Sequence, residues 1–322
     1  MRGLLAPVVA RFSHFFAAQA NRKGHRRFKR ALRTPEKVQR SRLHQIIKAV
    51  EGTEAGKRYG ITHDMSWEDF SQTVPVTEYS DWSEIMEQQR QRGEPLLSTS
   101  NCQRYQPTSG STSKVKWIPY TDAFLAELDN AVSPMMADKY KAHTGIRKGK
   151  HYWSFSWVPT ELRATMSDDL NNDLNLLPWW KRLFMSMTKA VPDDVSLADT
   201  SDDSLFATLC FLLQDRELTF LSVWSPTFAL TLLDGLAIHR TELSQALMRG
   251  DWGRRAASLS RLKCPKSVEA AYILQEWDGA LGTDITFKLW PKLWLISAWD
   301  TSTSAIWAKQ LRAMFPYSAF QG

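Results

Sequence analysis

The chain has 322 residues, of which 43% are hydrophobic, 23% charged and 11% aromatic, a composition that excludes a disordered or low-complexity polypeptide and allows one large core with an appended region. The formal charge of +7 is local: residues 1–50 hold 13 Lys/Arg against the single acid Glu36, and the remainder has 28 basic and 33 acidic residues. A cationic groove across the whole domain, and with it a nucleic-acid partner, is therefore not expected.

At the start of the chain, residues 4–10 are apolar and Ala18-Gln19-Ala20 imitates an export-signal cleavage site, but Arg11 and His14 interrupt the apolar run. Leu5, Val8, Val9, Phe12, Phe15 and Phe16 recur at helical spacing. That spacing predicts an amphipathic helix whose apolar side docks on the body of the protein or on a membrane surface. The basic run at 22–30 reads first as a solvated helix face, and peripheral contact with anionic lipid stays open for it. Cys102, Cys210 and Cys264 are odd in number, far apart and without a CxxC or a histidine pair, so neither a disulfide framework nor a zinc site is expected and a reducing cytoplasm fits best. The longest uncharged run, 218–233, contains Pro226 and is too short to span a bilayer. No transmembrane segment is predicted.

Thr34 followed by Pro35 opens a predicted helix over 35–50, and Ser80 caps another over 81–92. These segments form a helical, basic N-terminal layer over residues 1–100, one domain together with an α/β region over 101–322. In that region β-prone runs recur at 104–107, 116–120, 151–157, 218–224 and 293–299, with helical patterns between them. Leu205, Leu209 and Leu212 mark a helix face ahead of the strand at 218–224, and Ser225-Pro226 opens the next helix. The run at 293–299 leads through Asp300-Thr301-Ser302-Thr303-Ser304 into a helix bearing Trp307, Leu311 and Phe315. The fold class expected is α/β, a mixed or parallel sheet covered by helices, with ligands beyond the carboxyl ends of the strands.

The chemistry concentrates in Thr108-Ser109-Gly110-Ser111-Thr112-Ser113-Lys114-Val115-Lys116, between two β-prone runs. Small residues let the backbone approach a ligand, successive amides can form an anion nest, and the hydroxyls add donors. Lys114 or Lys116 can then supply a point charge to phosphate oxygens. A Walker A loop is excluded, because Ser113 stands where a glycine must precede the lysine. The histidines show no metal-ligand spacing, and no serine lies in a nucleophile elbow.

This loop resembles the phosphate loop of the adenylate-forming superfamily. With Val74-Pro75-Val76-Thr77-Glu78-Tyr79, the stretch from Leu221 to Thr227, and Leu289-Trp290-Pro291-Lys292-Leu293, the chain resembles more closely the auxin-responsive, Gretchen Hagen-type acyl acid amido synthetases and their bacterial relatives. The resemblance implies the incomplete large N-terminal domain of an adenylate-forming enzyme. It implies ATP and Mg²⁺ as cofactors and two steps: a carboxylic acid forms acyl-AMP, and an amino acid or other amine then displaces AMP. By the same resemblance Thr108, Ser109, Gly110, Ser111, Thr112 and Ser113 hold phosphates and Lys116 is the catalytic lysine, with no protein metal ligand assigned. Ser222, Trp224 and Thr227 match a stretch bordering the acyl pocket, although Trp224 reads at least as readily as core packing. Trp299, Asp300, Thr301 and Ser302 match a ligand-facing turn that usually contains glycine and here does not; Asp300 reads equally as a helix N-terminal acid. The family's adenine-contacting motif and mobile C-terminal domain do not occur before Gly322. The expectation is thus part of an enzyme, with little activity alone. The alternative is a non-catalytic binding or structural relative that keeps a ligand pocket and uses its basic helix for association.

Overall fold

The first thirty residues carry no acid and end on Lys29 and Arg30, where cations complement the carbonyl end of a helix, and they form a single helix, α1 (Arg2–Ala31). The structure is a computed structural model that describes residues 2–107, 116–154, 157 and 186–322, with side chains from residue 10 onward. The chain divides into two compact units, one of Ala20–Asp138 and one of Met1–Gln19 with Lys139–Gly322.

The helical prediction for α1 holds, but the side that docks is not the one expected. Phe12, Phe15 and Phe16 are exposed, while Ala10, Ser13 and His14 are buried; the side chains of Leu5, Val8 and Val9 lie outside the described residues. The reason is hydrogen bonding. His14 Nε2–H donates to the Gly149 carbonyl at 2.7 Å, leaving Nδ1 to accept from the Tyr140 hydroxyl at 2.9 Å. Buried polar groups need such partners, and phenylalanine offers none.

In the unit Ala20–Asp138, α2 (Pro35–Val50) starts at Thr34 with Pro35 in its first turn, as expected, although the Thr34 side chain makes no cap bond. Two short helices follow, α3 (Glu54–Arg58) and α4 (Trp67–Thr73); α4 is closed by a Ser66–Asp69 capping box. The next helix, α5 (Tyr79–Arg92), begins two residues before the predicted start. Ser80 is therefore not its cap; the Asp81 carboxylate instead accepts from the Glu78 amide at 2.8 Å. Gly93, at φ 70°, ends the helix in the left-handed conformation that glycine adopts without strain. An antiparallel hairpin of β1 (Cys102–Pro107) and β2 (Trp117–Thr121) then leads into α6 (Asp122–Ala142), which contributes residues to both units.

The other unit is built on a four-stranded, all-parallel sheet in the order β3 (Lys150–Trp153), β4 (Leu218–Ser222), β5 (Leu295–Ser297) and β6 (Ala319–Gln321). β4 and β5 are shorter than the β-prone runs that announced them, and Val223-Trp224 and Ala298-Trp299 pass into loops at the carboxyl edge. Between the strands lie α7 (Ser201–Gln214), α8 (Pro226–Ile238), α9 (Arg240–Arg249), α10 (Val268–Glu276), α11 (Thr283–Leu289) and α12 (Ala305–Met314). Thr200 caps α7, and Ser225 caps α8 with Pro226 at its first position, as the sequence indicated.

Strand alternation gives the two sheet faces different chemistry. Tyr152, Leu221, Ile296 and Phe320 share one row and enter an apolar core with Leu209, Leu212 and Leu236. Burying one such leucine contributes roughly 1.5–3 kcal/mol. Within this core the Trp290 indole N–H donates to the Leu212 carbonyl at 2.9 Å, so its one polar atom is satisfied. Leu311 and Phe315 of the last helical segment are buried as predicted, but Trp307 is exposed. The opposite face carries His151 and Phe220. The His151 ring stacks on His14 at 4.2 Å, and its Nε2–H donates to the Ile146 carbonyl at 2.7 Å. Burial pushes the His151 pKa down to about 3, with His14 adding to the effect, and burial also lowers that of His14.

Candidate functional site

The expected phosphate-binding residues Thr108, Ser109, Gly110, Ser111, Thr112 and Ser113, with Lys114, lie outside the described residues. The base on which they stand is described. Pro107 and Trp117 are a register pair of the β1–β2 hairpin, so the residues that flank the segment stand on adjacent strands, as predicted. The Trp117 amide donates to the Tyr79 hydroxyl at 2.8 Å, and the Arg90 guanidinium lies 4.9 Å from the centre of the Trp117 ring. Lys116 is exposed, with its ammonium 5.7 Å from the centre of the Tyr79 ring. Two of the sequence stretches singled out above, the one ending in Tyr79 and the loop itself, thus meet at this base.

The second set of residues lies in the unit Met1–Gln19 with Lys139–Gly322, at the carboxyl edge of its parallel sheet. Trp153, Ser222, Ser297 and Gln321 form the last row of aligned residues there. Beyond that row Val223 N–H donates to the Ser297 carbonyl at 2.9 Å and Trp299 N–H to the Trp224 carbonyl at 3.2 Å, so the exit loops stay paired. Trp224 and Trp299 meet edge to face with ring centres 6.0 Å apart. Trp224 is 71% exposed and Trp299 59%, so neither is core packing. Thr227 is occupied with the cap, its hydroxyl 2.6 Å from that of Ser225. Asp300 does not cap α12; its carboxylate accepts from Arg312 at 2.5 Å. Thr301 is exposed, and Ser302 takes φ 52°, a left-handed conformation that glycine adopts most easily.

Lys139, near the end of α6, reaches the same row. It is only 3% exposed, its ammonium donates to the Ser297 hydroxyl at 3.0 Å, and it lies 6.0 Å from the centre of the Phe220 ring. Among the described residues no carboxylate pairs with it. Burial alone drives its pKa down. His143, one turn further along, approaches the Gln321 amide side chain, whose Oε1 is buried without a well-placed hydrogen-bond partner. Lysine, histidine, serine and glutamine therefore converge, and the nearby carboxylate of Asp300 is taken by Arg312, an arrangement among the described residues that is complementary to an anion.

The chain matches the GH3 family N-terminal domain over residues 24–320. It belongs to the GH3 family. Among solved structures it is similar to one described as AtGH3.15 acyl acid amido synthetase in complex with 2,4-DB. The TM-score is 0.69 and the identity 19%, over 88% of this chain and 51% of that one. A second, described as GH3.15 acyl acid amido synthetase, has a TM-score of 0.63 and 21% identity over 87% of this chain and 50% of that one. These likenesses establish the shared fold, and the chain spans about half the length of the solved relatives it matches. No curated protein matches it.

Within this GH3 N-terminal domain, the described residues contain no group of three or more His, Cys, Asp or Glu placed to hold a metal ion. Asp300 at the sheet edge is committed to Arg312. The described donors therefore do not fit a protein-held Mg²⁺, an ion usually bound largely through substrate phosphates and water. Lys139, Ser297 and Gln321 are residues that sequence reasoning missed. The available signal was Ser297 itself, a lone hydroxyl inside the apolar run Leu293-Trp294-Leu295-Ile296-Ser297-Ala298-Trp299.

Proposed function

We propose that this chain supplies the acid-binding and phosphate-binding parts of an enzyme that activates a carboxylic acid with ATP and passes the acyl group to an amino acid or other amine. A carboxylate oxygen attacks the α-phosphorus of ATP, the bond to the β-phosphate breaks, and pyrophosphate leaves. The amine nitrogen then attacks the acyl carbon of acyl-AMP, AMP departs with the bonding electrons, and the amine proton passes to solvent. Membership in the GH3 family and the amido synthetase activity named for the two solved relatives support this class of reaction.

The observation that carries the reading here is Lys139. An ammonium held out of water with no counter-ion among the described residues is costly, and an acid's carboxylate brought to it would stabilise its charged form. The exposed pair Trp224 and Trp299 beside the same strand ends suits an apolar or aryl acid. Ser222 flanks this position on β4. For the nucleotide, the hydroxyls and amides of Thr108 to Ser113 would cradle the phosphates and Lys116 would neutralise developing charge, while Mg²⁺, if bound, would contribute further charge neutralisation.

Carboxylate-dependent exchange of labelled pyrophosphate into ATP, measured on the longest form of the protein its gene encodes, tests the proposal with a panel of aryl and alkyl acids. Lys116→Ala is expected to lower exchange about 100-fold or more. Lys139→Met is expected to weaken acid binding at least about 30-fold, with partial recovery in Lys139→Arg. Absence of exchange with every acid would sink the catalytic reading. Acid binding without exchange would instead support a non-catalytic relative that keeps the pocket.

A further inference from the structure

The way α1 is seated leaves an unusual face outward. Ala10, Ser13 and His14 are buried, and Ala17, Asn21, Gly24 and His25, three to four residues apart, continue the less exposed side. The opposite side presents Phe12, Phe15 and Phe16 at 64%, 56% and 50% exposure. Gln19, Lys23, Arg26, Arg27 and Arg30 follow on the same side at helical spacing, all exposed. The sequence has no Asp or Glu before Glu36. No Lys or Arg from Arg11 to Arg30 forms an ion pair among the described residues. At 1.5 Å per residue this helix is about 45 Å long, with aromatics toward its start and cations toward its end.

We infer that the outward face of α1 is a docking surface for an anionic lipid bilayer. Phosphates of the headgroups neutralise the cationic stripe, and the phenylalanine rings enter the boundary between headgroups and acyl chains, the division of labour of an interfacial helix. A nucleic acid would satisfy the cations but leave the rings in water, whereas a bilayer takes both. No described helix is long and apolar enough to cross a membrane, so the attachment is to the surface. This inference does not depend on the proposed chemistry at the sheet edge.

Sedimentation of the longest encoded form with phosphatidylcholine vesicles containing about 30% phosphatidylserine tests it, against pure phosphatidylcholine and against a duplex oligonucleotide. Binding to the anionic vesicles is expected, weakening as salt rises. Combined Phe12→Ser, Phe15→Ser and Phe16→Ser should lower it at least about tenfold. Combined Lys23→Glu, Arg26→Glu, Arg27→Glu and Arg30→Glu should abolish it. Circular dichroism and the melting temperature of both variants show whether the fold is kept, and Phe12→Ser with Phe15→Ser alone should weaken binding in the same direction. In Phe15→Trp, tryptophan fluorescence should shift to the blue when anionic vesicles are added. Equal retention on neutral vesicles, no loss in the Phe variant, or preferential binding of the oligonucleotide would overturn the inference. Protection of this face from hydrogen exchange by the rest of a longer chain would overturn it too.

Discussion

Two buried cations in the same unit have opposite surroundings. Arg255 is 6% exposed and meets Asp202 at 2.6 Å, Asp203 at 2.5 Å and Glu242 at 3.0 Å, tying the start of α7 to α9. Lys139 is 3% exposed and meets one hydroxyl. A cation with three carboxylates is a finished structural joint. A cation with none among the described residues, at the carboxyl edge of a parallel sheet, is the place proposed for an incoming counter-charge. The electrostatics differ accordingly: Arg254 foremost, with Arg255, holds the Glu242 carboxyl down at about 2, whereas burial works unopposed on the Lys139 ammonium. Burial alone therefore does not distinguish a structural charge from a functional one; the partner set does.

The largest expected effect is on the finished joint. Arg255→Ala should lower unfolding free energy by roughly 3–5 kcal/mol, measured by denaturant titration, because three carboxylates lose their shared partner. A change below about 1 kcal/mol would remove the contrast with Lys139. Next comes acid. The folded pKa values of His151 and His14 lie below the unfolded one, so their contribution is complete above about pH 6.5 and fades as the unfolded chain takes up protons below it. From pH 8 to pH 5 the His151 share of the loss is about 2 kcal/mol. The depressed Glu242 adds its own loss below about pH 4.5, its contribution intact at pH 5 and lost as pH falls toward about 2, on top of the His151 loss, which continues down to about pH 3. Unfolding curves at pH 8, 5 and 3 should thus show a loss at each step, both diminished in His151→Leu and only the second also carrying Glu242. The smallest effect belongs to Lys139→Met, which should leave the unliganded protein within about 1 kcal/mol of wild type, since an apolar side chain of similar length removes an uncompensated charge. A large destabilisation would reassign Lys139 to the scaffold.

Local physics made much of this legible in the sequence. Ser225-Pro226 fixed the start of α8, and Leu209 and Leu212 fixed the buried face of α7, because capping and periodicity act over a few residues. The paired strands around the proposed phosphate loop were readable for the same reason. What remained hidden depends on partners distant in the chain. Lys139 becomes notable only when Ser297, 158 residues away, is placed beside it. Hydrophobicity alone puts Phe12, Phe15 and Phe16 on the side of α1 that docks, on the protein body or on a membrane, but the seat under α1 is polar and selects His14. Trp224 was read equally as core, yet the loop after β4 carries it outward. Ser302 illustrates the converse: the missing glycine was visible in the sequence, and the left-handed backbone it would have eased is present in the fold.

The hairpin base under the proposed phosphate loop has a thermodynamic consequence. Because Pro107 and Trp117 are paired across β1 and β2, the ends of the nine intervening residues are brought together by folding. Bringing together the ends of nine residues costs about 2 kcal/mol beyond a constant. That entropy is already spent before any ligand arrives. If the loop binds phosphate as proposed, loosening the clamp by Tyr79→Phe or Arg90→Ala would therefore weaken that affinity without removing any residue proposed to touch a phosphate.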